Sequence, residues 1–178
     1  YFVFQTSFAV EIIEPKITVL KTVDDGIIDI SGNNVTLGDS MWYQLRFQNT
    51  GNDSATNTAI RDLLPINVDL NEASLELPIG VTYTYTIPTP TSGGILEFTI
   101  PDAIVTKGAT FYDIRFEVTV TDQCNDLRDA CENKIDNVAF AYYTGLDSGI
   151  EISDDPSFYG LDNCDFGLSG ATNFLVDV

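Results

Sequence analysis

The sequence predicts an all-β fold, an antiparallel β-sandwich with a long acidic excursion before the last strand. Apolar and polar residues alternate with a period of two in several segments, as they do in strands that bury one face. Clusters of Gly, Pro, Asn, Asp and Ser separate these segments at the spacing typical of sandwich strands. No segment has the 3.6-residue period of an amphipathic helix.

The clearest pair of strands lies in residues 38–70. Apolar residues occupy the odd positions of 41–48 and polar ones three of the four even positions, so this strand should bury one face. Residues 49–54 (NTGNDS) tolerate turn conformations and predict a chain reversal. Residues 59–64 then return as a strand until Pro65, which has no N–H to donate to a ladder.

The remaining segments fit the same architecture. Strands are predicted in 17–23, 81–87, 96–100, 112–120, 135–143 and 172–178, with 112–120 as the long central strand. Residues 27–30 form a short apolar run between two turn clusters, and 70–78 are interpreted as a crossover. Residues 145–170 are the least regular part, and a long excursion of this kind is where added function is expected.

Five motifs occur in an order similar to that of Ig-like conserved-repeat domains of bacterial surface proteins. They are EPKITVLKTV (14–23), GDSMWYQLRFQNTGNDSATNTAIRDLLP (38–65), CNDLRDACENKIDNVAFAYYTG (124–145), ISDDPSFYGLDNC (152–164) and GATNFLVD (170–177). The last three resemble a subgroup in very long adhesins of gliding or surface-attached Bacteroidota. The resemblance implies an Ig-like sandwich in an extracellular protein, serving as a structural and adhesive repeat with like repeats as partners.

The resemblance also implies a division of the chain. Residues 1–14 alternate like a half-buried strand, and in tandem arrays of this family such a strand ends one repeat just before Glu-Pro opens the next. We therefore interpret 1–14 as a strand or linker from a preceding repeat and 15–178 as the Ig-like domain. Alternatively, 1–14 is a donor strand that inserts into the sheet edge of another copy, which would make the chain a filament subunit.

The composition excludes several classes of function. The net charge is −19, from 27 acidic and 8 basic residues, which repels nucleic acid phosphates. No apolar run approaches the ~18 residues of a membrane helix, so no membrane insertion of this segment is expected. The chain has no His, the commonest general base and zinc ligand, and no catalytic residues are predicted.

Three cysteines in an acidic, extracellular-type chain predict one disulfide and one remaining thiol. Cys124 and Cys131 lie at the ends of a short loop between strands expected to pair, so their Cα atoms can approach the ~5.5 Å that a disulfide needs. The alternative is that Cys164 pairs with one of them and ties the long excursion to this loop.

Acidic side chains on the excursion predict a candidate calcium site. Asp154, Asp155 and Asp162 flank a rigid Pro, and ligation by oxygen alone suits Ca²⁺, the one cofactor that this composition favours. The competing interpretation is that Asp154 and Asp155 accept hydrogen bonds from backbone N–H groups in turns.

Two further hypotheses concern exposed side chains. Trp42 lies on the polar face of its strand, where an indole either stacks on a sugar, together with loop tyrosines such as Tyr159, or is covered by the chain itself. Binding to surface glycans would make the chain a carbohydrate-binding module. Asp39-Ser40-Met41 and Asp53-Ser54-Ala55 resemble the acceptor motif for O-glycans on exported Bacteroidota proteins, which makes Ser40 and Ser54 candidate glycosylation sites.

Overall fold

The computed structural model describes residues 11–89, 92–123, 134–145, 148–153 and 171–177. These residues form twelve strands and one short 3-10 turn at Asp102–Ile104, with no α-helix among them. The strands are β1 (Ile17–Asp24), β2 (Asn34–Thr36), β3 (Ser40–Asn49), β4 (Thr56–Leu63), β5 (Val68–Glu76), β6 (Thr82–Thr86), β7 (Ile95–Ile100), β8 (Tyr112–Val120), β9 (Lys134–Asn137), β10 (Ala139–Thr144), β11 (Ser148–Ile152) and β12 (Thr172–Asp177).

The strands form two large sheets and one small one. The first sheet has the order β1-β3-β8-β5 and the second β11-β10-β4-β7-β6, and all pairs in both are antiparallel. In the small sheet, β2-β12-β9, strand β12 runs parallel to β2 and antiparallel to β9. The all-β, antiparallel sandwich predicted from the sequence is confirmed.

Alternating side chains of the first sheet build one face of the core. Every second residue of β1, β3 and β8 is buried, as the period of two in their sequences predicts. Aromatic rings join the two layers. The ring centroid of Phe116 lies 5.7 Å from that of Tyr43, in the same first sheet, and 6.3 Å from that of Phe98, in the second sheet. The core is therefore one continuous layer of interlocked apolar side chains.

The predicted reversal at 49–54 is present and is held by Asn49, whose side chain is buried. The Asn49 amide nitrogen donates to the carbonyl oxygens of Asp53 and Val105, both at 2.8 Å, and its oxygen accepts from the N–H groups of Lys16 and Gly51. One side chain thus replaces the ladder hydrogen bonds lost where the strands part.

One difference from the sequence prediction concerns residues 135–143, which divide into β9 of the small sheet and β10 of the second sheet. In the described part of the chain neither pairs with β8, although the sequence predicts that the strands beside the Cys124–Cys131 loop pair.

Three further differences involve edge strands. Residues interpreted as a crossover form β5, which pairs with β8 alone among the described strands and shifts register between Asn71 and Glu76. Strand β6 lies at an edge of the second sheet, and Tyr83, one of the apolar residues that alternate with threonines in 81–87, is exposed. In the region described as least regular, Ser148–Ile152 forms β11 on β10. Edge strands need little burial, so their alternation is weak or misleading.

Residues 11–14 run beside the β3–β4 turn without forming a strand. Asn52 exchanges hydrogen bonds with the backbone of Glu14, at 2.8 and 3.0 Å, and its amide nitrogen donates to the carbonyl of Ile12 at 2.9 Å. Residues 1–10 lie outside the described part of the chain, so the division at residue 14 and the donor-strand alternative stay predictions.

Candidate functional site in the core between the sheets

A lysine and an aspartate meet in the middle of the core. Lys21 follows Ile17 and Val19 on the inward face of β1, and Asp62 follows Ile60 on the inward face of β4. Both side chains are 0% exposed, and Lys21 Nζ is in direct contact with Asp62 Oδ2. The pair therefore joins the first sheet to the second through the apolar layer.

Aromatic rings surround the lysine amine. Lys21 Nζ lies 4.4 Å from the centroid of the Tyr43 ring and 6.0 Å from that of Phe116. These rings exclude water from the amine and offer their negative faces to its charged form. The only anionic partner found for Nζ in the described part of the chain is the Asp62 carboxyl group.

Asn137, the last residue of β9, brings a carboxamide to the same place. Its Cα partner on the neighbouring strand is Thr172, whose hydroxyl donates to the carbonyl oxygen of Lys21 at 2.9 Å. The Leu63 N–H donates to the carbonyl of Val138, which holds the residue after Asn137 against the residue after Asp62. The backbone thus fixes Asn137 beside both members of the Lys21–Asp62 pair, and its side chain is buried.

Four buried polar atoms in this cluster have no hydrogen-bond partner among the described residues. They are Asp62 Oδ1, Tyr43 Oη, Asn137 Nδ2 and Asn137 Oδ1. Leaving a buried polar atom unpaired costs about 1–3 kcal/mol, so a concentration of four at one place is unusual for a core that is otherwise apolar. Such a group needs a physical explanation, and a chemical role is one of those that account for unpaired polar atoms in cores.

Burial shifts both ionisable partners toward their neutral forms. Desolvation lowers the pKa of Lys21 to about 8, although the Asp62 charge and hydrogen bond oppose this shift. Desolvation likewise raises the pKa of Asp62 above its ordinary value, against the effects of Lys21 and Asn137. A neutral amine has a nucleophilic lone pair, and a carboxyl group in contact with it can accept or donate a proton.

Trp42 lies on the outer face of β3, half-buried by its own chain. The Arg115 guanidinium carbon lies 5.0 Å from the Trp42 ring, and a Cβ added to Gly26 would come within 3.8 Å of its Cδ1. Arg115 and Gly26 are thus neighbours of the indole within the described part of the chain. Most of the 145–170 excursion, including Tyr159, lies outside the described residues. The sugar-stacking role of Trp42 and Tyr159 stays a prediction.

Both candidate glycosylation serines are exposed. Ser40 Oγ shares a 2.9 Å hydrogen bond with Thr119 Oγ1, and Ser54 Oγ accepts from the Lys107 N–H at 3.1 Å. Their modification stays a prediction.

The residues of the predicted disulfide and calcium site are not among the described residues. Cys124, Cys131 and Cys164 lie outside the described residues, as do Asp154, Asp155 and Asp162. Within residues 11–89, 92–123, 134–145, 148–153 and 171–177, no three His, Cys, Asp or Glu side chains lie close enough to hold a metal ion.

A calcium site at Asp154, Asp155 and Asp162 predicts a higher melting temperature in calcium than in chelator, because an ion that binds only the native state stabilises it. Scanning calorimetry in both buffers measures this difference. A shift below about 1 °C would contradict the site. The variant Asp154→Asn/Asp155→Asn is the control, since it should melt at one temperature in both buffers.

Comparison with known proteins supports the fold assignment. Residues 21–106 match the model of a family described as a domain of unknown function, DUF7619. No curated protein matches the sequence. In the described residues, no helix has both the length and the apolar character needed to cross a membrane.

Solved structures of bacterial surface proteins are similar to this chain. The major pilin subunit BcpA of Bacillus cereus matches with a TM-score of 0.57 and 10% identity, over 90% of this chain and 40% of that one. The full-length major pilin SpaD of Corynebacterium diphtheriae has a TM-score of 0.52 and 16% identity, over 78% of this chain and 34% of that one.

The C-terminal domain of the Streptococcus pyogenes antigen I/II-family protein AspA has a TM-score of 0.51 and 14% identity, over 89% of this chain and 46% of that one. The chain has the Ig-like sandwich fold of these proteins. It spans less than half the length of each of the three. At these identities the similarity establishes the fold alone.

Proposed function

We propose that this chain is a structural and adhesive module of a secreted cell-surface protein, one repeat of a long adhesin of the Bacteroidota type. The observation that carries the proposal is the Ig-like sandwich fold, shared with pilin and antigen I/II-family domains. The order of the five sequence motifs and the acidic composition agree with it. The module acts by shape and stiffness, turns over no substrate, and has neighbouring repeats as partners.

Cross-strand ion pairs join the three strands β1, β3 and β8 of the first sheet. Arg46 of β3 binds Asp113 of β8 through both oxygens, at 2.8 and 3.0 Å, and Arg115 of β8 reaches Asp24 of β1 at 3.2 Å. These pairs lie on the outer face and tie β1, β3 and β8 together side by side. A rigid spacer of this kind suits a protein that extends from a cell.

The size and location of the native polypeptide test the proposal. Antibodies raised against this chain should label intact cells of the source organism, and the denatured, reduced polypeptide should be many times larger than 19.5 kDa. A polypeptide near 19.5 kDa that migrates as a large assembly without denaturation would favour the filament subunit with 1–14 as donor strand. Labelling only after permeabilisation would contradict both.

A glycan array tests the carbohydrate-binding alternative. We expect a blank array, because the Trp42 indole stacks on Arg115 of its own chain. Phe111→Ala is the matched control, since this exposed ring, next to the first residue of β8, packs on Arg46. Glycan binding that is lost in Trp42→Ala but kept in Phe111→Ala would replace the structural module by a carbohydrate-binding one.

A further inference from the structure

We propose that this chain forms a covalent cross-link in its own core. The Lys21 amine attacks the side-chain carbon of Asn137, Asp62 transfers the proton, and ammonia is released. The product is an amide bond between the side chains of β1 and β9. Nothing in the proposed surface function requires this reaction, and the reaction does not depend on that function.

The geometry supplies the three groups that the reaction needs. Lys21 Nζ is in contact with the Asp62 carboxyl group, and Asn137 is fixed beside both by its pairing with Thr172 and by the Leu63–Val138 hydrogen bond. All three side chains are at most 1% exposed. Because the reactants are already held together, no encounter in solution is needed. This proximity removes a large part of the free-energy barrier to amide formation.

The roles of Asp62 and Asn137 follow from their chemistry. An ionised carboxylate is a poor electrophile, and if the Lys21 amine attacked Asp62 itself, Asn137 could not replace Asp62 as proton carrier because a carboxamide does not titrate. Attack on Asn137 leaves the Asp62 carboxyl group free to move the proton. Asp62 is therefore the acid–base group and Asn137 the electrophile.

The reaction balances without any further reagent. The lone pair of the neutral Lys21 amine forms a bond to Asn137 Cγ, and Asp62 accepts a proton from the amine nitrogen. The bond between Cγ and Nδ2 then breaks, and Asp62 returns the proton to the departing nitrogen, which leaves as ammonia. No atom is oxidised or reduced, and Asp62 ends in the state in which it began.

The environment favours this sequence of steps. Burial lowers the pKa of Lys21 to about 8, so the neutral amine is accessible near neutral pH, and it raises the pKa of Asp62, which makes the carboxylate in contact with Nζ a stronger proton acceptor. Water, which would compete with the amine, is excluded by Tyr43 and Phe116. The product would also supply hydrogen-bond partners for the unpaired atoms. The N–H of the new amide can donate to Asp62, and its carbonyl oxygen can accept from the Tyr43 hydroxyl.

The mass of the purified chain tests the proposal. Under denaturing and reducing conditions, the intact mass should be lower than the sequence mass by one ammonia. Trypsin should leave Lys21 uncleaved and yield peptide 17–46 joined to peptide 135–178. The full sequence mass would overturn the proposal, and so would an ammonia loss confined to a single unjoined peptide, since an Asn that cyclises on its own backbone also releases ammonia.

The peptide masses also show whether Asn137 or Asp62 is the electrophile. A loss of one water, with peptide 17–46 joined to peptide 62–107, would identify Asp62 as the electrophile and overturn the division of roles between Asp62 and Asn137.

Conservative variants keep the test valid if a truncation fails to fold. Asn137→Asp retains the shape of the side chain but presents a carboxylate, which is a poor electrophile, so it should fold and keep the sequence mass. Asp62→Asn should fold and keep the sequence mass, and a cross-linked Asp62→Asn would contradict the proton-transfer role. Lys107→Met, at an exposed lysine, is the control and should keep the ammonia loss. Folding of each variant is checked by near-ultraviolet circular dichroism.

Discussion

The double variant Lys21→Met/Asp62→Val is expected to be less stable than the natural chain by about 1–5 kcal/mol in free energy of unfolding, the loss of the bond less any gain from the apolar replacement. The variant keeps apolar side chains in the core but cannot form the cross-link between Lys21 and Asn137. By analogy with disulfides, a bond that closes a loop of about 100 residues stabilises a chain by about 4.7 kcal/mol, because it restricts the unfolded state. Denaturant titration of both proteins measures the difference.

The sign of this change separates a bond from an ion pair. If Lys21 and Asp62 formed only a buried salt bridge, the same apolar replacement would be neutral or stabilising by about 1–4 kcal/mol. The single variant Lys21→Met does not discriminate, because it leaves an unpaired buried carboxyl group, which costs about 3–5 kcal/mol in either case.

An exposed ion pair is the matched control. Arg46→Met/Asp113→Val removes a pair on the outer face of the first sheet, where both side chains are about a third or more exposed. This variant should change the free energy of unfolding by no more than about 1 kcal/mol. A control that lost as much as the core variant would show that the strands themselves, and not the cross-link, respond to these replacements.

Phe116→Ala is expected to lower the free energy of unfolding by about 3–5 kcal/mol. The ring is fully buried and contacts Tyr43 within its own sheet and Phe98 across the sandwich, so its removal leaves a cavity between the layers. Denaturant titration should show an earlier midpoint with an unchanged slope, since the surface exposed on unfolding stays nearly the same.

Phe111→Ala removes the same side chain from the surface. Phe111 is 53% exposed and packs on the Arg46 guanidinium, whose carbon lies 4.2 Å from the ring centroid. The loss of such an exposed contact should cost about 0.5–1 kcal/mol. Equal losses in the two variants would contradict the assignment of Phe116 to a continuous core.

The strands that bury one whole face were predictable from the sequence, and the edges were not. In β1, β3 and β8 one face is buried and the other is partly exposed to solvent. Apolar and polar residues therefore alternate along their sequences with a period of two. Strand β5 has one neighbour within the described part of the chain and a register shift, and it gains little from burial. Its polar sequence therefore resembles a crossover, and only the pairing with β8 identifies it as a strand.

The candidate site does leave a signal in the sequence, although the alternation alone did not single it out. Lys21, Asp62 and Asn137 all fall at inward positions of alternating strands, where an apolar residue is expected. A polar residue at such a position is costly unless it has a partner, so each marks a place where local pattern and function disagree. Which residues meet could not be predicted, because that depends on sheet order and register, which bring together residues 41 and more positions apart.

The position of Lys21 in the first strand and Asn137 in the ninth determines how the domain responds to mechanical force. Once these side chains are bonded, tension applied at residue 11 and at residue 177 passes from β1 directly to β9. The chain between the two residues carries none of it. Without the bond, that segment would extend to about 400 Å when pulled straight. A long surface protein built from such domains would hold its length under shear instead of unravelling.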